Sequence, residues 1–350
     1  MLFLHQGRGV VDIRRHEEMK MTDLALLLAC PKCHGNIPQD KGSMRCAGCG
    51  LQYGKKGEVY DFICRELYGS QDEYDKTREI LEFWGAGWEK RLNEDEHSFI
   101  YRLPKAELEK YLNDFGSFHK ENNFLFGNEV DPNSLESKTS LNIGCGAGDE
   151  SAFLAYHGSS CVALDVTSQA AGAAWMLMDT LDSNGMAIQA DSRFMPLRGQ
   201  SFDLVYSSGV LHHSPNINRS INEIHRLLKP RGKAYIMLYA TCSLMFLQPR
   251  LIGIFKGYIS KDRQIEYMSR DGEKDWETED RTNPYTETFT ITQCRKLFSS
   301  FRKVSVRKGG FSLGQIRVAG SFLNKGFLNS MAKRLLDSRL GACLFITAEK

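Results

Sequence analysis

Residues 140–149 read SLNIGCGAGD: an apolar run, three glycines at alternate positions (Gly144, Gly146, Gly148), then an acid able to open a helix. The pattern is that of a strand turning sharply into a helix around a small ligand. Glycine is needed where φ turns positive or the backbone touches a ligand, and a helix N-terminus offers N–H groups without partners. An ordinary strand-to-helix loop would satisfy this stretch taken alone. Its surroundings narrow the reading. Twenty-one positions after Gly144, CVALDV places Asp165 at the end of a second apolar run, where a carboxylate can accept hydrogen bonds from both hydroxyls of a ribose. A third run, MAIQAD, ends in Asp191 followed by Ser192, and a fourth, FDLVYSSGVLHH, spans residues 202–213. Four strand ends thus converge on one crevice, where open α/β sheets bind their ligands.

Composition bounds the rest. The 350 residues are 42% hydrophobic and 25% charged, which describes a globular chain of about two domains. A net charge of +2 is no general polyanion-binding signature. The longest apolar stretch, Ile236 to Leu247, has twelve residues and is too short to span a bilayer. The opening MLFLHQGRGVVDIRRHEE meets Gly and Arg early and lacks a small-residue cleavage site, so the expectation is a cytoplasmic protein.

Four of the ten cysteines form Cys30-x2-Cys33-x12-Cys46-x2-Cys49, a spacing that lets four thiolates close a tetrahedron around structural Zn²⁺. Gly35 and Gly50 permit the tight turns this requires, and His34 is read as a bystander. The remaining six cysteines lie scattered in apolar runs and are expected to pack as small hydrophobes.

In order and spacing, LNIGCGAGD, ALDVT, QADSRFMPLRGQSFDLVYSSGVLHH and INEIHRLLKPRGKAYIML resemble the class I S-adenosylmethionine-dependent methyltransferases, most closely the type 11 branch that includes quinone-biosynthesis enzymes. The resemblance covers about residues 139–240. It implies a Rossmann-like seven-stranded α/β sheet with an antiparallel last strand. The loop of Gly144, Cys145, Gly146 and Gly148 would wrap the methionine part of S-adenosylmethionine, and Asp165 with Val166 would hold the ribose. Asp191 and the Ser192 backbone would read adenine, with Ser207 at the neighbouring strand end. Many family members carry an acid where this chain has Asn142; the cofactor's amino group would then meet an amide oxygen, which can still accept a hydrogen bond. The segment LALLLACPKCHGNIP…MRCAGCGLQYGKKGEVYDF resembles small zinc-ribbon proteins that activate tRNA and protein methyltransferases, here fused in front of the enzyme.

The expected organisation is an N-terminal extension (1–22), a zinc ribbon (23–64), a helical connector or lid (65–138) and a methyltransferase domain (139–350) with an insertion at 241–285. In the connector, SQDEYDKTREILEF offers Ser70 and Glu73 as a capping box. Trp84 and Trp88 would share one helical face, although Gly85 and Gly87 argue for a turn. Those rings serve either as core or as a substrate-facing wall. The insertion is apolar to about residue 259 and highly charged thereafter; the resemblance places it over the substrate. FTITQCRKLFSSF is read as a helix, and RKVSVRKG and GACLFITAEK as a closing antiparallel pair.

Methyl transfer from a sulfonium is an in-line displacement, so orientation is the protein's main contribution, on the order of 7–11 kcal/mol. A general base is needed only if the acceptor must lose a proton. His212, His213, Tyr206 and Tyr239 are the candidates, His213 slightly ahead of His212, although the VLHH string recurs across many substrates in the family and so also suits an architectural role. A small-molecule methyl acceptor is the leading reading, RNA the alternative, and a protein substrate or a non-catalytic scaffold the remainder. Residues 65–128 hold nine Lys/Arg against fourteen Asp/Glu, which would repel a phosphate backbone. Residues 301–340 hold nine against one. That cluster could meet RNA, an anionic membrane or a negatively charged substrate, or be a solvated face; oligomeric state stays open.

Overall fold

The computed structural model describes residues 24–38, 44–94, 96–246, 283–311 and 335–350. The extension at 1–22, most of the expected insertion and much of the basic 301–340 segment lie outside them. In chain order the strands are β1 (Met44–Arg45), β2 (Gln52–Lys56) and β3 (Val59–Asp61), followed by helices α1 (Gln71–Glu94) and α2 (Lys105–Glu121). Then come β4 (Thr139–Ile143), α3 (Asp149–Tyr156), β5 (Ser160–Asp165), α4 (Ser168–Thr180), β6 (Gly185–Gln189) and β7 (Phe202–Ser208). The described chain closes with α5 (Ile217–Leu227), β8 (Leu228–Tyr239), α6 (Ile291–Leu297), β9 (Lys303–Gly309) and β10 (Cys343–Glu349).

The central strands are buried almost end to end, as parallel strands covered on both faces must be. Their order is β6-β5-β4-β7-β8-β10-β9, parallel through β8, with β10 antiparallel between β8 and β9. The expected closing pair is therefore present. Helix starts follow from side-chain caps: Thr167 accepts from Ala170 N, Asn216 from Arg219 N, and Thr290 forms a reciprocal capping box with Gln293, each satisfying donors that a helix start leaves open.

The sheet has ten strands, not seven. On the far side of β6 it continues through β3, β2 and β1. Strand β3 runs parallel to β6 with Tyr60 opposite Ile188 and Asp61 opposite Gln189, and Phe62 N donates to Gln189 O at 2.9 Å. An uncovered β6 would present an unpaired backbone edge, and the cysteine-bearing segment caps it. A second seam joins Leu28 to Leu197, with Ala29 N on Pro196 O and Arg198 N on Leu27 O. Leu24, Leu28, Ile37, Tyr60 and Phe62 share one apolar cluster with Ile188, Met195 and Leu197, so this face of the sheet and the cysteine segment have a common core. The opposite face is packed by α2 and α3, where Leu108, Leu112, Phe126 and Phe153 are buried and the Phe126 ring stacks on Tyr206 at 4.6 Å.

Within the connector, α1 runs unbroken from Gln71 to Glu94. Gly85 and Gly87 do not interrupt α1; both are buried, and a Cβ at Gly85 would come within 3.7 Å of Gln169 and 3.9 Å of Thr167, so α1 runs close to the start of α4 there. The Ser70 hydroxyl accepts from Glu73 N, while the Glu73 carboxylate takes Gly69 N rather than Ser70 N.

Candidate active site

A cavity of about 340 Å³ opens at the carboxyl ends of β4, β5, β6 and β7, a volume within the range of small-ligand sites. Its floor is the glycine turn. Gly144, Gly146 and Gly148 all have positive φ. At Gly148 (φ 94°) a Cβ would stand 2.6 Å from the Ala174 backbone, so helix α4 packs where only glycine fits. Two tyrosines brace the turn from α2 and the segment before it: Tyr101 OH donates to Ala147 O at 2.7 Å, and Tyr111 OH to Asp149 Oδ1 at 2.5 Å.

Two carboxylates mark neighbouring strand ends. Asp165 Oδ1 accepts from Thr167 N and Thr167 Oγ1, both at 2.9 Å, and Oδ2 from Gly146 N at 3.3 Å. Burial pushes its carboxyl up, and these donors hold it back. Asp191 is already committed: its oxygens accept from Arg193 N, Nε and Nη2 at 2.7–3.1 Å and from Tyr68 OH at 3.3 Å. Arg193 continues to Thr77 Oγ1 at 2.6 Å and Glu73 Oε1 at 3.3 Å, fastening α1 to the end of β6.

Helix α1 forms the cavity's outer wall through Thr77, Ile80, Trp84 and Trp88, one face at helical spacing. The tryptophans thus line the cavity. Trp84 packs on His213 with ring centroids 4.9 Å apart. His213 also lines the cavity, and its Nδ1 lies 3.0 Å from Tyr285 O and 3.1 Å from Thr286 Oγ1. An Nδ1–H tautomer facing that carbonyl makes Nε2 the acceptor. Burial pulls the ring down to about 4, so it is neutral at working pH.

Of the other expected site residues, Gly144, Gly146, Asp165, Val166, Asp191 and Ser192 line the cavity. Cys145, Gly148, Ser207, Asn142 and His212 do not. Asn142 turns its amide into the interior, Nδ2 donating to Ser151 Oγ at 2.9 Å, and Ser207 Oγ donates to Ile143 O. His212 is fully buried and lies on Tyr239 at 3.8 Å between centroids. Residues that the sequence reading passed over are Glu150, Arg193, Thr77 and Tyr68. Thr77 could have been found from its spacing to Trp84 and Trp88; the others carry no such signal.

Burial also lowers His119 and His212. Between about pH 4 and 6.5 the unfolded chain binds protons at these histidines that the folded one refuses, so stability rises with pH there. Glu150 and Asp165, pushed upward, act in the opposite direction but are outnumbered. Urea midpoints should therefore fall from pH 7 to pH 5; equal midpoints would contradict the account.

The four cysteine sulfurs lie within 4.8 Å of one another, with Cys30–Cys49 at 3.5 Å and Cys33–Cys46 at 3.4 Å. A tetrahedral Zn–S length of 2.3 Å implies sulfur separations of about 3.8 Å, so the donor set fits that ion. Gly48 N points at Cys46 Sγ at 3.4 Å, and Tyr53 OH sits 3.1 Å from Cys30 Sγ. His34 is outside the cluster.

Residues 141–236 match a family described as "Methyltransferase domain". An uncharacterized methyltransferase of Synechocystis sp. is 28% identical over 134 residues, 37% of this chain and 60% of that protein. The malonyl-[acyl-carrier protein] O-methyltransferase of Enterobacter lignolyticus is 27% identical over 133 residues, covering 37% and 49%. The ubiquinone biosynthesis O-methyltransferase of Dechloromonas aromatica is 30% identical over 107 residues, covering 29% and 45%. The chain therefore spans between 45% and 60% of the length of these three relatives.

Proposed function

We propose that this chain, carrying a methyltransferase domain at residues 141–236, is an S-adenosylmethionine-dependent methyltransferase acting on a small-molecule acceptor. The observation that carries the reading is the charge of the cavity. Asp149, Asp165 and Asp191 are among the residues that line it, and Arg193, the one Lys or Arg on that wall among the described residues, is consumed by Asp191 and Glu73. Such a wall suits a cationic ligand and repels a pyrophosphate. The bound cofactor supplies an electrophilic methyl on a sulfonium. The chain's own residues orient it: Asp165 accepts the ribose hydroxyls, and the Val166 and Ser192 backbones flank the base. With Asp191 saturated by Arg193, the adenine edge is left chiefly to main chain.

The ubiquinone biosynthesis O-methyltransferase named above supports a small-molecule acceptor here, as does the aromatic wall of Trp84, Trp88 and Tyr239. RNA finds less support. Arg302 and Arg307, in the described part of the basic segment, pair with Glu349 and Glu129. Cys30, Cys33, Cys46 and Cys49 are read as ligands of a structural Zn²⁺. Among the described residues no helix is long and apolar enough to cross a membrane.

Calorimetry with S-adenosylmethionine tests the cofactor reading, and absence of binding would sink it. Asp165→Ala should weaken that binding by about 10²-fold or more, since charge-assisted hydrogen bonds are worth about 1.5–3 kcal/mol each and the turn also loses an anchor on Gly146 N. His213→Gln should leave turnover within a few-fold. A loss of about 10²-fold, the scale of general-base catalysis, would instead make His213 the base.

A further inference from the structure

The cavity contains one carboxyl group that the reading above does not use. Asp191 is saturated by Arg193 and Tyr68, Asp165 is assigned to the ribose, and one oxygen of Asp149 is taken by Tyr111. Glu150, on the first turn of α3, lines the same cavity and has no ion pair or hydrogen bond to another side chain among the described residues. Burial, with Asp149 beside it, pushes its carboxyl up to about 8, the mark of an acid without a counter-charge. Among the described residues that line the cavity no Lys or Arg is at hand to supply one, because Arg193 is spent elsewhere.

Position says which part of a ligand Glu150 faces. The base and ribose are read at the ends of β6 and β5, and the next strand in the sheet is β4. Helix α3 follows β4 directly, so a nucleoside laid along β6 and β5 brings its 5′ substituent to the turn that begins with Gly144 and ends at Asp149 and Glu150. Asn142, the polar residue on β4 nearest that turn, is occupied with Ser151 inside the core and is not part of the cavity wall. We propose that Glu150 is the counter-charge for the α-ammonium group of the cofactor's amino-acid tail. The inference rests on the cavity being an S-adenosylmethionine site, and it moves the recognition of that amino group from Asn142 to Glu150.

Three nucleosides separate the possibilities. S-Adenosylmethionine carries both ammonium and sulfonium, S-adenosylhomocysteine the ammonium alone, and 5′-methylthioadenosine neither. Glu150→Gln keeps the shape and removes the charge. The expected result is a rise in Kd of about tenfold or more for the first two ligands, the scale of a hydrogen bond to a charged group, with methylthioadenosine unchanged. Loss for S-adenosylmethionine alone would place Glu150 on the sulfonium and overturn the assignment, as would equal binding of all three by variant and wild type. Glu150→Ala should give the same pattern and serves if the amide variant folds poorly; thermal unfolding of each variant reports on folding. A wild type that binds none of the three would overturn the methyltransferase reading itself, a different outcome from failure at Glu150 alone.

Discussion

Replacing Arg193 with Met is expected to destabilise the protein by about 3–5 kcal/mol, the usual consequence of leaving one member of a buried ion pair without its partner. The side chains of Arg193 and Asp191 are only 3% and 7% exposed, so water cannot take the place of the guanidinium. Two elements would loosen together, since the same guanidinium bonds Thr77 and Glu73 on α1 and the Asp191 carboxylate that caps β6. Urea denaturation measures the loss, and a change under about 1 kcal/mol would refute the argument. Removing both charges, in Asp191→Asn with Arg193→Met, should recover a large part of the stability, because the penalty lies in the orphaned charge more than in the missing bond. The double variant should still bind S-adenosylmethionine poorly, since α1 would no longer be fastened over the cavity.

Stripping the zinc proposed for the four cysteines is expected to have an effect at least as large. Structural zinc in small peptides binds with about 10–16 kcal/mol of apparent free energy, which is folding free energy for the segment that holds it. Here that segment also contributes Leu28, Ile37 and Phe62 to the core under the sheet, so its unfolding would bare the β6 edge. A strong chelator should release about one zinc per chain, lower the thermal midpoint, and speed amide exchange at Phe62, whose N–H is bonded to Gln189 O. Cys46→Ser should reproduce the loss without chelator. Protein that holds no metal and unfolds identically after chelation would remove the zinc from the account.

Local chemistry made some features legible from sequence and long-range pairing hid others. The glycine turn could be read because positive φ at Gly144, Gly146 and Gly148 is a demand on residue type, and Asp165 because it ends a β-branched run at a fixed distance from that turn. The four cysteines were legible for the same reason: thiolate spacing is a sequence property, and the sulfurs do converge. The ten-stranded sheet was not. Strand β3 has three residues, too few for a period to show, and its partner is far away in sequence. Gly85 and Gly87 misdirected the reading of α1, since propensity argues for a turn while the helix, laid close against the start of α4, stays whole. Asn142 and Ser207 sit at the expected strand ends, but their side chains point inward, a distinction that alternation along fully buried strands does not reveal. The committed state of Asp191 depends on a neighbour two residues on whose direction no spacing rule fixes.

The pairing of β3 with β6 has a consequence for how the chain is made. Tyr60 leaves the ribosome before its partner Ile188, which lies 128 residues further along. At about 5–20 residues per second that interval is on the order of 10 s. During it the cysteine segment must persist with its apolar face and strand edge uncovered, a state prone to wrong pairing. A metal ion captured by the four early thiolates would hold the segment in register while it waits. Metal supply during translation, and not only afterwards, should then govern how much of the newly made protein reaches its native sheet.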